Sequence, residues 1–427
     1  MAGAANPKIR ESEEQISGSL ALHSEVSNGS SGHGGATNSP NTLLAGLVGD
    51  PRFGLDPYPA YKEFLNFPGW VTPSGYQVFS RYDDVARIMR DHGAFGQEGI
   101  PYPNFHVLDP PDHTRLRRLV ATAFTQRAAN RQHDQISGFV DELLTGVETR
   151  GSMNLIEEFA LPLPARVGAS MLGVPFEDVW QWNEWLWSIG LFRGRTSYLS
   201  HGSEADMKAA KDAAAAAADY FRNLIAERRS VEGADIVSAL LAAREGADQL
   251  SEDEVLYSLV LILGGSLHTT ASQIGNIFRS LFEFPEAMAA LAADPTLVAG
   301  VVHEGMRYDG SLQAEYRVAR TDATVGDVEV RAGTPIIVAV GAANRDPAQF
   351  PDPDVFDIHR ANASQHLTFG TGIHRCLGAQ LAQTEMLVAV RMLVERLPGL
   401  RLAGAPVQHQ YDRWRGLQSL PVAWDVA

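Results

Sequence analysis

The single cysteine of this 427-residue chain, Cys376, lies in a glycine-rich segment with the sequence FGTGIHRCLG at residues 369–378. One cysteine can form neither an intramolecular disulfide nor a four-cysteine zinc or iron–sulfur site. A thiolate at the start of a helix is stabilised by backbone N–H groups and by the helix dipole, and the nearby glycines let a flat ligand approach the backbone. This placement favours a thiolate ligand for an iron cofactor. A lone cysteine in other surroundings is more often a small buried hydrophobic side chain.

The segment resembles the haem-binding loop of the cytochrome P450 family, and the resemblance continues through further motifs from about Asp109 to Trp424. The matching positions of the loop are Phe369, Gly370, Gly372, His374, Cys376, Leu377 and Gly378. The resemblance implies haem b (iron protoporphyrin IX) with the Cys376 thiolate as its axial ligand, an arrangement that favours O–O cleavage. One departure is Gln383, because the family usually carries an arginine there, before Glu385.

Basic residues at 112–118, with the sequence DHTRLRR, are candidates for holding the two haem propionates. Buried carboxylates need cationic donors, and charge-assisted hydrogen bonds satisfy them best. His113 and Arg117 are four residues apart, so they share one face of a predicted helix. The resemblance implies that these two bind propionate together with Arg317 and His374. A solvated helix face is an equally good interpretation of the basic run taken alone.

Glu304 and Arg307 match the Glu-x-x-Arg pair of the same family, and Arg360 matches the arginine that joins them. Such a pair is common on any helix, and its position before the cysteine loop makes it informative. Buried together, the three groups would form a charge network in which the loss of one member strands the others. The implied role is structural.

A long apolar stretch resembles the oxygen-activation helix of the family, with Gly265 beside the haem and Thr269 as the catalytic threonine. The match breaks at two positions, because His268 stands where an acid is usual and Ser266 replaces a glycine. In the family, the acid and the threonine organise the water that supplies protons. His268 has three interpretations: it relays protons, it hydrogen-bonds substrate, or it packs against a neighbouring helix without a catalytic role.

Four segments are expected to contact substrate by resemblance: the loop before the propionate helix, the interior helix, the segment after Glu-x-x-Arg and a C-terminal turn. The corresponding candidates are Tyr102, Phe105, Leu261, Gln313, Ala314, Gln418 and Ser419. If Gln313 and Gln418 face the cavity, their amides suit a polar heterocycle or a peptide-like ligand. A loop glutamine is more often solvated.

The resemblance predicts a mainly α fold with a small β-rich part, in which haem lies between the interior helix and the helix after the cysteine loop. Residues 1–41 are rich in Ser, Gly, Asn and Ala and predict a disordered tail, which leaves residues 42–427 as one catalytic domain. We predict helices over residues 82–91, 207–229, 255–284 and 377–397, a strand over 75–79, a long loop over 93–107, and a hairpin in which 331–334 join 323–330 to 335–340.

The formal net charge of −16 argues against a nucleic-acid partner. No run of eighteen apolar residues is present, and the N-terminal segment is a poor signal peptide. We therefore expect a soluble, cytoplasmic protein without a membrane anchor, and a monomer.

The resemblance implies an oxidase that uses O2 and two electrons from a ferredoxin and its reductase to oxidise a small, largely apolar molecule in bacterial secondary metabolism. Arg115, Arg118 and Arg375 are candidates for a basic patch that receives the ferredoxin. The alternative is oxidative C–C or C–N coupling or ring closure without oxygen insertion, for example of a cyclic dipeptide or an aromatic peptide. A haem-thiolate sensor is a further alternative.

Overall fold

The computed structural model describes residues 56–72, 75–97, 105–121, 126–189, 204–230, 233, 235–245, 248–409 and 413–426. The predicted tail at residues 1–41 and the candidate Tyr102 lie outside the described residues. Most of the described chain is helical. The helices are α1 Tyr58–Phe64, α2 Tyr82–Arg90, α3 Asp112–Ala121, α4 Gln126–Thr145, α5 Pro162–Leu172, α6 Asp178–Ile189, α7 Glu204–Ser230, α8 Ile236–Ala242, α9 Glu252–Glu283, α10 Pro285–Ala293, α11 Val298–Tyr308, α12 Val340–Ala343 and α13 Ala379–Arg396.

The strands are short and form one five-stranded sheet and several smaller ones. They are β1 Trp70–Val71, β2 Gln77–Phe79, β3 Phe95–Gly96, β4 Ser152–Asn154, β5 Arg244–Glu245, β6 Asp248–Gln249, β7 Glu315–Ala319, β8 Ala323–Val325, β9 Val328–Val330, β10 Pro335–Val338, β11 Arg401–Leu402, β12 Val407–Gln408, β13 Leu417–Ser419 and β14 Pro421–Ala423. The five-stranded sheet has the order β1-β2-β10-β7-β3. Within it β10 runs parallel to β2 and antiparallel to β7.

Helix α9 passes through the interior and joins the two largest hydrophobic clusters. Its first half contributes Leu259 and Leu263 to one cluster, and its second half contributes Ile274 and Phe278 to the other. Its N-terminus carries a capping box in which Ser251 and Glu254 satisfy each other's backbone N–H groups. Helices α5, α11 and α13 pack against it. Among the described residues α9 is long and apolar enough to span a bilayer, and most of its apolar window is buried inside the protein.

The fold class predicted from the resemblance is confirmed, and the predicted helices exist with bounds shifted by at most three residues. The predicted hairpin is wrong. Strands β8 and β9 already form a hairpin within residues 323–330, because Gly326, with φ +56°, makes a tight turn. Strand β10 pairs instead with β7 and β2. The predicted loop at residues 93–107 also contains β3, which pairs with β7 through the buried Phe95.

Candidate active site

The loop that carries Cys376 is held tightly against helix α2. The Cys376 N–H donates to the Phe369 carbonyl over 2.8 Å and closes the loop. Gly372 has a φ of +72°, and a Cβ built there would lie 2.6 Å from the carbonyl oxygen of Met89. Because no other residue tolerates both conditions, the glycine pattern read in the sequence corresponds to a close approach of two backbones.

The side chain of Cys376 has accessible surface, yet it is surrounded by enough protein that burial raises the pKa of its thiol. We interpret this accessible surface as part of a cleft inside the protein. A backbone hydrogen bond from Gly378 and the charges of Arg117 and Arg375 oppose the effect of burial and favour the thiolate.

The four residues predicted to bind propionate are brought to one region. The rings of His113 and His374 have centroids 4.6 Å apart, and Arg117 donates to the carbonyl oxygen of Arg375 in the cysteine loop. Arg317 extends from β7 and is 2% exposed. Both ring nitrogens of His113 and the Nδ1 atom of His374 are buried without a well-formed hydrogen bond. Buried polar atoms of this kind indicate a binding site for a polar group.

Sequence reasoning missed Asp109 and Gln97, which complete this region. Asp109 Oδ1 accepts from His374 Nε2 over 3.1 Å, and Gln97 Oε1 accepts from Arg317 Nη1 over 3.3 Å. Burial alone would raise the pKa of Asp109, but hydrogen bonds from His374 and the Gln97 N–H, together with the charge of Arg320, hold that pKa below its usual value. The only local signal was a carboxylate directly before the basic helix. Its partner lies 265 residues away.

Helix α9 presents Gly265 and Thr269 on a half-open face. Gly265 is exposed although it lies in an interior helix, and Thr269 Oγ1 donates to its carbonyl oxygen over 2.5 Å. His268 is 9% exposed and donates from Nε2 to the Asn183 side-chain oxygen of α6. Burial, with a smaller effect of His409, lowers the pKa of His268 to about 4. Ser266 donates to the Leu263 carbonyl of its own helix.

The residues around the cleft fit haem. A Cβ built at Gly265 or at Gly378 meets no atom within 4 Å, so both glycines leave room for a flat group. Leu377 packs against the hydrophobic cluster that contains Leu263 and Leu267 of α9, which places the cysteine loop across from this part of the helix. A sulfur, two uncrowded glycines and buried donors at one edge suit a planar iron porphyrin with two carboxylates.

The candidate substrate residues divide into two groups. Phe105 is buried with the Arg117 guanidinium 5.9 Å from its ring centre. Leu261 and Ser419 are half-buried, and Gln418 is exposed.

Two substrate candidates are instead part of the protein core. Ala314 is 2% exposed in a cluster with Tyr61. Gln313 accepts from Tyr61 Oη over 2.7 Å and donates to the Gly310 carbonyl over 2.6 Å. Both the oxygen and the nitrogen of the Gln313 side-chain amide are therefore hydrogen-bonded within the protein. This does not support the expectation that the amide contacts substrate.

Glu304, Arg307 and Arg360 form one buried network. The carboxylate of Glu304 is fully buried and accepts from Arg307 at 2.7 and 2.8 Å and from Arg360 at 3.1 Å. Both guanidiniums also donate to backbone carbonyls in the irregular segment at residues 344–355. The network therefore fixes the segment that leads to the cysteine loop.

One other expectation changes. Arg115 pairs with Asp248 and Glu254 at the start of α9, so it is not a free cation for a partner protein. Gln383, at the departure from the family pattern, lies 3.0 Å from the His303 Nε2 atom. Glu385, two residues later, is buried, and burial raises its pKa to about 8.

Comparison with known proteins identifies the family directly. The family model described as Cytochrome P450 matches residues 69–399. Nocardicin C N-oxygenase of Nocardia uniformis is 39% identical, over 81% of this chain and 89% of that protein. Mycinamicin IV hydroxylase/epoxidase of Micromonospora griseorubida is 38% identical over the same shares. The ligand-free crystal structure of CYP164A2 from Mycobacterium smegmatis superposes with a TM-score of 0.83 at 36% identity, covering 90% of this chain and 100% of that one.

Replacing Arg307 by Lys should strongly destabilise the haem-loaded protein and lower its yield. Lysine cannot make the two parallel bonds to Glu304 or reach the carbonyls behind it, and breaking a buried pair costs about 3–5 kcal/mol. The measurement is the yield of soluble, haem-containing protein together with its urea unfolding midpoint. The matched control is Arg331→Lys, in an exposed pair with Asp322, which should shift stability by less than ~1 kcal/mol. Equal behaviour of the two variants would contradict a supporting role for the network.

Proposed function

The chain belongs to the cytochrome P450 family, and on that basis we propose that Cys376 binds haem b through its thiolate and that the protein oxidises a small, largely apolar molecule. The protein is an oxidoreductase of the P450 monooxygenase type. Haem with a thiolate ligand supplies the activation of dioxygen. The observation that carries the assignment is the Cys376 side chain, which has accessible surface in the same region as the His113 ring nitrogens and His374 Nδ1, atoms that are buried without a well-formed hydrogen bond among the described residues.

The residues of the chain have separate tasks in this proposal. His113, Arg117, Arg317 and His374 hold the two propionates. Gly265 leaves room beside the haem plane, and Thr269 holds a hydroxyl at the same face, where it can pass a proton to or from water. The hydrophobic cluster around Leu263 and Phe105 excludes bulk water from the cleft.

We propose that the substrate is a bacterial secondary metabolite and that oxygen is inserted into it. The support comes from two relatives whose names specify oxygenation, hydroxylation or epoxidation of such compounds. Oxidative coupling or ring closure without oxygen insertion is the alternative. Incubation under 18O2 distinguishes the two, because insertion adds one labelled oxygen to the product and coupling adds none.

We propose that a ferredoxin and its reductase deliver the two electrons at the face of the cysteine loop. Arg375 is exposed beside Cys376, and Arg118 is exposed on α3. Arg90, at the end of α2, donates to the Thr371 hydroxyl over 3.2 Å and adds a third positive charge near the loop. An acidic ferredoxin complements such a surface. A monomer in the cytoplasm completes the proposal.

The reduced protein should bind carbon monoxide with the red-shifted Soret band of a thiolate-ligated haem. Cys376→Ser should lose this band, because a neutral hydroxyl is a poor axial ligand, whereas His268→Gln on the opposite side should keep it. The difference spectrum of reduced protein with and without carbon monoxide provides the measurement. A wild-type protein that binds no haem, or binds it without the shifted band, would overturn the assignment.

His268→Gln should leave proton supply nearly unchanged, whereas Thr269→Ala should disturb it. Glutamine can still donate an N–H to Asn183, and a histidine whose pKa is about 4 is neutral at pH 7. With surrogate ferredoxin and the compound that gives the largest spin shift, hydrogen peroxide released per NADH should rise about tenfold in Thr269→Ala and less than ~twofold in His268→Gln. A large rise in His268→Gln would instead assign this residue to the proton relay.

Arg375→Gln should slow electron transfer from ferredoxin and weaken its dependence on salt. Electrostatic attraction to ferredoxin raises the association rate, so the loss of one positive charge lowers it. Salt screens the attraction that the remaining charges exert. Stopped-flow formation of the ferrous carbon monoxide complex should slow about threefold at low salt and converge with wild type at high salt. Arg331→Gln, on the β8–β9 hairpin, is the control. A wild-type rate that ignores ionic strength would exclude electrostatic docking.

A further inference from the structure

A second buried charge cluster, separate from the Glu304 network, is centred on Asp309. Its side chain is fully buried. The carboxylate accepts from the Tyr58 hydroxyl, from Arg279 Nη2 and, over 2.7 Å, from Arg415 Nε. Burial acts to raise the pKa of Asp309, but the two arginines and the tyrosine hydroxyl outweigh it and lower that pKa to about 2. The group is therefore a carboxylate at neutral pH.

The partners of Asp309 come from three distant parts of the chain. Tyr58 belongs to α1, Arg279 to α9 and Arg415 to the segment before β13. Arg279 also donates from Nη1 to Gln408 over 3.1 Å, and Gln408 donates to the Gly416 carbonyl over 2.7 Å. One carboxylate therefore connects the end of α11 to the interior helix and to the C-terminal turn.

Backbone hydrogen bonds place the segments 311–313 and 413–415 side by side. The Arg415 N–H donates to the Ser311 carbonyl over 2.8 Å, and the Gln313 N–H donates to the Arg413 carbonyl over 2.9 Å. Leu312 and Trp414 form the antiparallel bridge between them. The two segments therefore move as one unit.

Two amide side chains of α9 secure this unit from the other side. Gln273 accepts from the Ser311 N–H over 2.8 Å and donates to the Asp309 carbonyl over 3.2 Å. Asn276 donates to the carbonyls of Asp309 and Arg415 over 3.0 and 3.1 Å. With Arg279 they form a polar stripe at spacings of three residues on an otherwise apolar helix.

The path of this unit is not fixed by its own sequence. Residues 308–334 contain no proline, and Gly310 adds conformational freedom. Contact with α9 is close, because a Cβ built at Gly416 would lie 2.1 Å from Ser272 Oγ. Thr269 lies one turn before Gln273 on the same helix. The position of the C-terminal turn relative to Thr269 therefore depends on the Asp309 cluster.

We propose that Asp309 is a positioning residue that shapes the substrate pocket, by fixing the C-terminal turn and the segment after α11 against the helix that carries Thr269. The inference rests on the proposed function, because it takes the cleft above Cys376 as the site of oxidation. It adds a determinant of specificity that does not touch haem.

Asp309→Asn tests the proposal, with spectral titration of two azoles that ligate haem iron as the measurement. Imidazole is small and reports on the iron alone, whereas 4-phenylimidazole also needs a formed pocket. We expect the dissociation constant for 4-phenylimidazole to rise about tenfold, and that for imidazole to change less than ~twofold. Asp235→Asn is the matched control, since Asp235 also combines a helix cap with an arginine pair and lies outside the cluster. It should leave the ratio of the two constants unchanged.

Arg415→Lys is the second variant, because lysine keeps the positive charge but has a shorter side chain than arginine. It should raise the 4-phenylimidazole constant about threefold. Hydrogen exchange of the haem-loaded protein should quicken in peptides that cover 309–316 and 413–424 and remain unchanged around Glu304.

Two results would overturn the proposal. The first is an unchanged ratio of the two dissociation constants in both variants, whether or not both azoles bind more weakly. The second is loss of haem by Arg415→Lys, which would make the cluster a folding element. A wild-type protein that binds neither azole would instead refute the proposed function.

Discussion

The buried carboxylate of Glu304 is the interaction on which the rest of the site depends. Between α12 and α13 the chain runs through a long irregular segment whose carbonyls have few partners in regular structure. Arg307 and Arg360 donate to those carbonyls, and the fully buried Glu304 carboxylate forms an ion pair with each of them. Because an unpaired buried carbonyl or charge costs several kcal/mol, this segment has one low-energy path. That path ends at the loop that carries Cys376.

The last two turns of helix α11, with the residue that follows them, support both sides of the cleft. Glu304 and Arg307 secure the thiolate side, and the Thr368 hydroxyl, shortly before Cys376, donates to the Met306 carbonyl over 2.6 Å. Asp309, directly after the helix, secures the opposite side through α9. One short stretch of chain, residues 304–309, therefore carries both charge clusters, and in our proposal it contributes to the geometry of both sides of the cleft.

Features that depend on the spacing of nearby residues could be predicted from the sequence. Contacts between residues that are distant in the chain could not. The loop around Cys376 and the Glu304–Arg307 pair are local patterns, and the long helices follow from local periodicity. The Asp109–His374 hydrogen bond joins two residues that are 265 positions apart in the sequence. The sequence around Asp109 gives no indication of this partner. The hairpin was misplaced because the alternating pattern continued past Gly326, whose turn had already reversed the chain. Arg115 was predicted to belong to the ferredoxin-binding patch because the sequence does not show that Glu254 lies beside it.

The environment of His268 disfavours a charged imidazole at the position where the family usually has an acid. For a buried imidazole whose pKa is about 4, taking up a second proton at pH 7 costs about 4 kcal/mol, since each pKa unit is worth ~1.4 kcal/mol. A relay through the imidazolium would therefore be slowed about a thousandfold. The ring already donates its Nε2 hydrogen to Asn183 of α6, which fixes its tautomer and joins two helices. In the proposed function, proton transfer then falls to the Thr269 hydroxyl and to water beside Gly265, where the helix is open. We therefore propose that the histidine acts as a helix contact and that Thr269 keeps the catalytic position.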